Sequence, residues 1–312
     1  MKFTVFFIAA LFIVLNLSAQ SRGQFIQVNG KKIWYQSVGS GEPLLLVPGG
    51  GGGSHDYFYP HFSPLADSFQ VIYYDAFGRG LSERTKNLKE YTFERDVDEI
   101  EAFRKVLGLG KINILGHSFS GATVQAYAVK YPNSVNKIIL IDPLTTGKAY
   151  QELTDRFNQQ IADLFPEIDA KIKTIRAKGI KSSHNEHQMA YLEHFENIFS
   201  FFYFFDHHQP PLVWDSITFN PDVYYALVGD DADFVIGGDV KNLDFTASLR
   251  KLPNQILIIS GRFDQVVFPR LVVEFKNKLP NARLLFMEKS GHNPFIEEYE
   301  ETMSVIRQFL KK

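Results

Sequence analysis

The feature that most constrains the fold is a serine that stands between an apolar strand and a helix. Residues 112–115 are apolar enough for a buried strand, and residues 119–131 have helical periodicity. Small residues lie two positions before and two positions after Ser118, so the backbone can turn sharply there and leave the hydroxyl exposed. Ser120 stands where such a turn more often has a second glycine, and serine is small enough for that position. This arrangement predicts a nucleophilic serine at the end of a strand in an α/β protein.

The rest of the chain fits the same architecture, because short apolar runs alternate with longer amphipathic stretches. Such alternation predicts a doubly wound, mostly parallel sheet with helices on both faces. Asn29-Gly30 is a turn sequence that joins the first two strands as a hairpin. Helical patterns follow Thr92 and recur at residues 119–131 and 297–310. We predict strands at residues 25–28, 32–37, 44–47, 71–74, 112–115, 138–141, 256–260 and 284–287.

The alternation is interrupted between residues 144 and 244, where helical stretches at 153–175 and 188–205 occur without a clear strand. We therefore predict a discontinuous core, formed by residues 21–143 plus 245–312, with a helical cap (lid) at residues 144–244. One aromatic face of this cap is either part of its own core or an apolar wall facing the serine. That face consists of Tyr191, Phe195, Phe199 and Phe202.

Composition narrows the possible functions. The chain has 312 residues with 33 Lys and Arg against 35 Asp and Glu, so its formal charge of −2 gives no support to a nucleic-acid partner. It has no cysteine, which excludes disulfides, thiolate metal sites and a cysteine nucleophile. His184 and His187 have the spacing of a metal pair on one helix face, but the sequence offers no clear third ligand, and we predict no metal site.

The first twenty residues have the layout of a secretory signal peptide. Lys2 is followed by an apolar run at residues 3–15, and Ser18-Ala19 supplies small residues for cleavage. The run is short for a membrane span, although an uncleaved anchor is the alternative. We therefore expect residues 1–20 to be removed, and the mature protein to be exported without membrane insertion.

A serine becomes a nucleophile only with a base and a group that orients the base. Two later strands end in suitable residues, since a turn leads from one to Asp264 and a loop leads from the other to His292. The order Ser118, Asp264, His292 differs from the order in the two protease families that share this geometry. Asp142, at the end of another predicted strand, is an alternative orienting acid.

Five consecutive glycines at residues 49–53 follow a predicted buried strand. A phosphate-binding P-loop would need a lysine at the end of this run, and none is present. A dinucleotide-binding loop has weak support from Asp75, which ends the next strand. The stronger interpretation is a loop that brings a backbone N–H close to a substrate oxyanion, since glycine permits close approach.

These motifs resemble the α/β-hydrolase superfamily and, within it, the proline iminopeptidase group of serine aminopeptidases. That group has His-Gly-Gly-Pro-Gly and then Ser-His-Asp-Tyr at its oxyanion loop, and residues 48–52 and 54–57 are similar in register. Residues 74–82 are similar to its Tyr-Asp-Gln-x-Gly-x-Gly-x-Ser segment, and residues 223–238 resemble the end of its lid. The similarity begins near residue 25, continues to residue 312, and is weakest in the lid.

The resemblance implies a role for each matching residue and no metal or organic cofactor. Pro48, Gly51 and Asp233 stand where the family has His, Pro and Glu. A carboxylate is expected near the substrate's free ammonium, because an unpaired charge in a closed pocket costs several kcal/mol. The implied roles are Ser118 as nucleophile, His292 as general base and then acid, Asp264 as its orienting group, the N–H groups of Phe119 and Gly50 as oxyanion donors, and Asp233 with Glu193 or Glu196 as substrate-binding residues.

We therefore expect an exported serine hydrolase that forms an acyl-enzyme on a small-molecule or short-peptide substrate. The resemblance favours an aminopeptidase that releases N-terminal proline or a small apolar residue. One alternative is a carboxylesterase or lactonase acting on small uncharged acyl compounds. An alternative of another class is a non-catalytic ligand-binding protein on a hydrolase fold.

Overall fold

The computed structural model describes residues 23–208 and 218–312, except for the side chains of residues 195 and 196. The signal-peptide prediction for residues 1–20 lies outside this part of the chain. Within the described residues, no helix combines the length and the apolar character that crossing a membrane requires.

An eight-stranded sheet forms the centre of the molecule, in the order β1-β2-β4-β3-β5-β6-β7-β8. The hairpin strands β1 and β2 are antiparallel to each other, β2 is antiparallel to β4, and every later pairing is parallel. This confirms the predicted doubly wound, mostly parallel α/β fold. The strands are β1 Gln24–Val28, β2 Lys31–Val38, β3 Glu42–Val47, β4 Phe69–Asp75, β5 Ile112–His117, β6 Val135–Ile141, β7 Ile256–Gly261 and β8 Ala282–Met287.

Helices cover both faces of the sheet, so its central strands are buried throughout. Every residue of β5 and β7 is buried, as expected for the mainly apolar central strands of a parallel sheet. Alternate residues of a strand enter opposite cores: Leu45 packs into one, and Leu44 and Leu46 pack into the other. The helices are α1 Phe93–Val106, α2 Ser120–Lys130, α3 Gly147–Leu164, α4 Pro166–Arg176, α5 Asn185–Leu192, α6 Phe195–Tyr203, α7 Pro221–Val228, α8 Thr246–Leu249, α9 Pro269–Asn277, α10 Pro294–Glu297 and α11 Tyr299–Lys311.

Helices α3 to α7 lie between β6 and β7 in the chain, and we call residues 147–243 the helical insertion. A bridge between Thr146 and Asp244 joins the chain on either side of it. The insertion has its own apolar cluster, which includes Ile168, Ile172 and Phe202. Two helices replace each predicted one: Pro166 begins a new helix because proline fits a first turn but not a helix interior, and α5 ends before α6 begins at residue 195.

The topology brings four polar residues to one edge of the sheet. Ser118, Asp142, Asp264 and His292 follow β5, β6, β7 and β8, which are consecutive neighbours in the sheet. The carboxyl ends of parallel strands lie at the same edge, and ligands of such sheets bind there. The fold therefore gathers at one place residues that are far apart in sequence.

Candidate active site

Ser118 occupies a strained turn between β5 and α2. Its φ angle is 55°, a left-handed conformation that few residues other than glycine adopt. Its N–H donates to the Ile141 carbonyl at 3.0 Å, and its own carbonyl accepts from the Leu144 N–H at 2.8 Å, so the turn is fixed to the end of β6. A Cβ at Gly121 would lie 2.5 Å from Pro143, which explains the small residue there. Strain held in place by surrounding bonds is typical of a nucleophile turn.

Ser120, where a glycine is more usual, has a structural function of its own. Its Oγ accepts from the His117 N–H at 2.9 Å and donates to the Val47 carbonyl at 2.6 Å. The hydroxyl thus joins the nucleophile turn to the end of β3, from which the glycine-rich loop begins.

His292 and Asp264 form a buried acid–base pair. His292 Nδ1 lies 2.8 Å from Asp264 Oδ2, and both side chains are almost wholly excluded from solvent. The other carboxylate oxygen of Asp264 accepts from the N–H groups of Val266 at 2.7 Å and Val267 at 2.9 Å, which hold the carboxylate in position. Within the described residues, His292 Nε2 is buried and has no hydrogen-bond partner. It is therefore the ring nitrogen available to exchange a proton with a substrate or a nucleophile.

Asp142 lies behind this pair as a second buried carboxyl group. The nearest ligand atoms of Asp142, Asp264 and His292 are all within 4.8 Å of one another. Both oxygens of Asp142 face the Gly261 N–H, at 3.0 and 3.3 Å, whereas the imidazole hydrogen bond is made by Asp264. Burial, reinforced by the charge of Asp264, raises the pKa of Asp142 well above its usual range. Asp142 therefore lies beside Asp264 and is not the direct partner of His292.

A cavity of about 480 Å³ that opens to solvent lies over these residues. Ser118 and His292 both line it, and so does Gly50, whose φ of 72° suits glycine. The complete lining is Gly49, Gly50, Gly53, Tyr57, His117, Ser118, Phe199, Tyr203, Thr218, His292 and Asn293.

The glycine-rich loop packs against the chain that leads into α7. Ser54 donates to the Thr218 carbonyl at 3.0 Å, and Asn220 donates to the Gly52 carbonyl at 2.9 Å. A Cβ at Gly52 would lie 2.2 Å from the Asn220 carbonyl oxygen, so a larger residue would separate the loop from the insertion. Phe119, the other predicted oxyanion donor, directly follows Ser118 and precedes the first residue of α2.

Asp75 has a structural position, so the dinucleotide-binding interpretation receives no support. It is fully buried, and its oxygens accept from the N–H groups of His55 at 2.8 Å and Leu81 at 2.9 Å. These bonds connect the end of β4 to the turn after the glycine-rich loop.

The predicted substrate-binding residues are not all brought to the cavity. Asp233 lies within the insertion, where burial raises its pKa to about 7 and its Oδ2 accepts from Gln188 at 3.3 Å. Glu193 is half exposed and forms an ion pair with Lys171 on the outside of the insertion, so the structure does not bring it to the nucleophile. The side chain of Glu196 lies outside the described part of the structure.

The aromatic face proposed for the insertion is divided between two roles. Phe199 lines the cavity, whereas Phe202 is fully buried in the insertion's own cluster, and Tyr191 packs against that cluster. The side chain of Phe195 is not described. His184 caps α5 by accepting from the Glu186 N–H, while His187 is buried beside Asp233, so the two histidines do not converge.

Sequence reasoning missed two neighbours of His292. His117, which the sequence analysis did not single out, lines the cavity and hydrogen-bonds to the His292 carbonyl. Tyr203, at the end of α6, accepts the His292 N–H at its carbonyl, 2.9 Å away. Adjacency to Ser118 was the available signal for His117, but no motif identifies Tyr203.

Comparison with known proteins agrees with this geometry. Residues 42–299 match the family model described as the alpha/beta hydrolase fold. The chain is 28% identical over 293 residues to a proline iminopeptidase of Heyndrickxia coagulans, covering 92% of this chain and 97% of the relative. It is 30% identical over 278 residues to a proline iminopeptidase of Saccharolobus solfataricus, covering 88% and 87%.

Solved structures share the fold at lower identity. The proline iminopeptidase of Mycobacterium smegmatis superposes with a TM-score of 0.71 at 22% identity, covering 93% of this chain and 98% of that one. An esterase of Exiguobacterium antarcticum superposes with a TM-score of 0.66 at 21% identity, covering 93% and 100%. The fold and the family match define an enzyme of the serine hydrolase class. The chain belongs to the α/β-hydrolase fold family, and it resembles the proline iminopeptidases.

Proposed function

We propose that this protein is a serine aminopeptidase that releases N-terminal proline, or a small apolar residue, from short peptides. The observation that carries the catalytic part is the buried His292–Asp264 pair, 2.8 Å apart, beside the same cavity as the strained Ser118. The preference for a free N-terminus rests on the similarity to proline iminopeptidases over most of the chain.

In the proposed reaction, His292 Nε2 removes the proton from Ser118 as its Oγ attacks the scissile carbonyl carbon. Asp264 holds the ring by accepting from Nδ1 and stabilises the imidazolium that forms. The N–H groups of Phe119 and Gly50 donate to the oxyanion, and each such donor contributes about 3–4 kcal/mol to the transition state. The imidazolium then protonates the departing amine, and water repeats the sequence to release the acid.

Asp233 is the carboxylate proposed to bind the substrate's ammonium group. It is a partly exposed acid of the insertion with polar neighbours, since Gln188 donates to it and His187 Nδ1 lies 3.7 Å away. A buried ammonium needs a carboxylate partner, and the ammonium charge would in turn favour the ionised form of Asp233. Glu193 has no place in this proposal because Lys171 already pairs with it on the surface.

A matched set of chromogenic substrates tests the proposal. We expect prolyl p-nitroanilide to be cleaved faster than its N-acetyl derivative, and faster than an uncharged p-nitrophenyl ester. Asp233→Asn should remove the advantage of the free amine, whereas Asp230→Asn, an exposed carboxylate in the same turn, should keep it. Faster hydrolysis of the ester, with no gain from a free amine, would contradict the aminopeptidase proposal.

The second candidate is an esterase for small uncharged acyl compounds. The observation that favours it is the apolar side of the cavity, where Phe199 and Tyr203 lie and Asp233 does not. The same substrate set separates the two activities.

Export remains part of the proposal on the strength of residues 1–20. Amino-terminal sequencing of the protein recovered outside the cytoplasm of its host should find a chain that begins near residue 21. An intact Met1 in that fraction would favour the uncleaved anchor.

A further inference from the structure

We propose that Tyr57 and His117 are positioning residues, which tie the oxyanion loop to the backbone of the catalytic histidine through one chain of hydrogen bonds. The inference rests on the proposed function, and it assigns to that reaction two residues with no role so far. The chain joins Gly49, Tyr57, His117 and His292, which come from three separate parts of the sequence.

The contacts are continuous from one end of the site to the other. The Gly49 N–H donates to the Tyr57 hydroxyl at 2.5 Å, and this hydroxyl lies 3.2 Å from His117 Nδ1. His117 Nε2 lies 2.8 Å from the His292 carbonyl oxygen. His117 is buried, and both its ring nitrogens are used by this chain.

The donors and acceptors allow one direction of hydrogen bonding. A carbonyl oxygen only accepts, so His117 Nε2 must carry the hydrogen toward His292. In the neutral ring Nδ1 is then an acceptor to which the Tyr57 O–H donates, and the tyrosine oxygen keeps lone pairs that accept from the Gly49 N–H. Burial lowers the pKa of His117 well below its usual range, so the ring stays neutral as this pattern requires.

Each end of this hydrogen-bond chain contacts a group whose position matters for the proposed reaction. Gly49 directly precedes Gly50. A hydrogen bond that fixes the Gly49 N–H therefore restricts the next peptide group, whose N–H belongs to Gly50 and is the proposed oxyanion donor. At the other end, the His292 carbonyl is held by His117 while the His292 N–H is held by the Tyr203 carbonyl. His117 also precedes Ser118, so the nucleophile, the oxyanion loop and the base are linked through one imidazole.

The packing around Tyr57 supports a fixed position for its hydroxyl. Its ring contacts Phe58 and Phe295, with centroids 4.4 and 6.2 Å away, and the His117 ring at 5.6 Å. The short turn His55–Phe58 that carries it is itself held by Asp75. Because the packed ring cannot move, its hydroxyl can hold two loops at a fixed distance from each other.

Three single substitutions test the chain. Tyr57→Phe removes only the hydroxyl. His117→Gln keeps an N–H donor near the position of Nε2 but removes the acceptor for the Tyr57 O–H. His117→Asn keeps an acceptor near the position of Nδ1 but removes the donor to the His292 carbonyl. We expect Tyr57→Phe and His117→Gln each to lower kcat about tenfold with little change in KM, because a small displacement of reacting groups costs rate rather than binding.

The double variant shows whether the residues act together. Tyr57→Phe in the His117→Gln background should cause little further loss, since the same link is already broken. Tyr73→Phe is the matched control, because it removes a buried tyrosine hydroxyl bonded to Ser63, outside the cavity. It should lower thermal stability without lowering kcat.

The outcomes separate this inference from the proposed function. Losses in kcat that simply multiply in the double variant, or a Tyr57→Phe enzyme as active as Tyr73→Phe, would overturn the positioning role while leaving the hydrolase intact. Retained kcat with raised KM would overturn it as well, since that would make Tyr57 a substrate contact. A wild-type protein that neither turns over substrate nor reacts with a fluorophosphonate would instead defeat the proposed function itself.

Discussion

The backbone strain at Ser118 gives a stability prediction at the residue scale. Its φ of 55° costs about 1–2 kcal/mol for a residue with a Cβ, and glycine does not have this cost. Ser118→Gly should therefore be more stable than Ser118→Ala by about 0.5–1 kcal/mol, once the greater backbone entropy of unfolded glycine is subtracted. Thermal unfolding of the two variants measures this difference.

Both variants should lower kcat by roughly 10⁴–10⁶ while remaining folded. Equal melting temperatures for the two variants would contradict the strain argument, and substantial activity in either would contradict the role of Ser118.

Replacing each of the two buried aspartates with asparagine should have different effects on catalysis. In Asp142→Asn, the amide oxygen can still accept from the Gly261 N–H, and the neutral amide places no second charge beside Asp264. We expect kcat/KM close to that of the wild type at neutral pH. Asp264→Asn leaves the wrong group beside His292 Nδ1 and should lower kcat by about 10⁴. If the larger loss followed Asp142→Asn instead, Asp142 would be the orienting acid.

Asp233 gives a pH dependence that distinguishes substrates. Burial raises its pKa to about 7, so it is ionised above this pH and protonated below it. Because an ammonium group binds the carboxylate form, kcat/KM for a free-amine substrate should fall relative to an ester as the pH drops through about 7. The ratio of the two rates cancels the protonation of His292, which both substrates share. A ratio that is constant with pH, or one unaffected by Asp233→Asn, would remove Asp233 from substrate binding.

At the scale of elements, the contact between α1 and the loop after β4 should lower the free energy of unfolding at high pH. Glu99 is buried and accepts from the Phe77 N–H at 2.9 Å, and burial raises its pKa from 4.5 to about 7. A folded-state pKa above the unfolded value means that stability is fully present below about pH 4.5 and is lost as the pH rises through about 7. This loss is at most about 3 kcal/mol.

Glu99→Gln keeps the acceptor oxygen and removes the titration. Its melting temperature should therefore exceed that of the wild type at pH 8 and match it near pH 5. The same stabilisation at both pH values would show that the charge of Glu99 is not responsible.

The strands, and the positions of Ser118, Asp264 and His292 just after strand ends, were predictable because each has a local signature. Apolar runs buried on both faces mark β5 and β7, and a turn or loop with Asp264 or His292 follows a strand end directly. The helical insertion was harder, because its helices pack on each other and one aromatic face serves both the insertion's own cluster and the cavity. Pro166 indicates the end of one helix and the start of the next, but the helical pattern of apolar residues continues across this proline.

The connections of His117 could not be inferred from sequence. Its bonds join residues 57 and 292, and no period or motif links those positions. The placement of Glu193 on the outer surface likewise depends on where Lys171 lies in three dimensions. Contacts between distant segments are decided by the assembled fold, whereas a strand end is marked by its own residues.

At the scale of the whole molecule, the cavity lies between the edge of the sheet and the helical insertion. The sheet edge supplies Ser118 and His292, and the insertion supplies Phe199 and Tyr203. The Tyr203 carbonyl and the His292 N–H connect the two, 2.9 Å apart. The insertion thus forms the wall of the cavity opposite the sheet edge, and under the proposed function a substrate's side chain would lie against it.

The central claim is that one serine, activated by one histidine, performs the reaction. Reaction with a fluorophosphonate, followed by mass analysis of the labelled peptide, tests it most directly. We predict a single adduct on Ser118 in the wild type, none in Ser118→Ala, and greatly slowed labelling in a folded His292→Ala protein. An adduct on another serine, or labelling of Ser118 that is as fast without His292, would contradict the account.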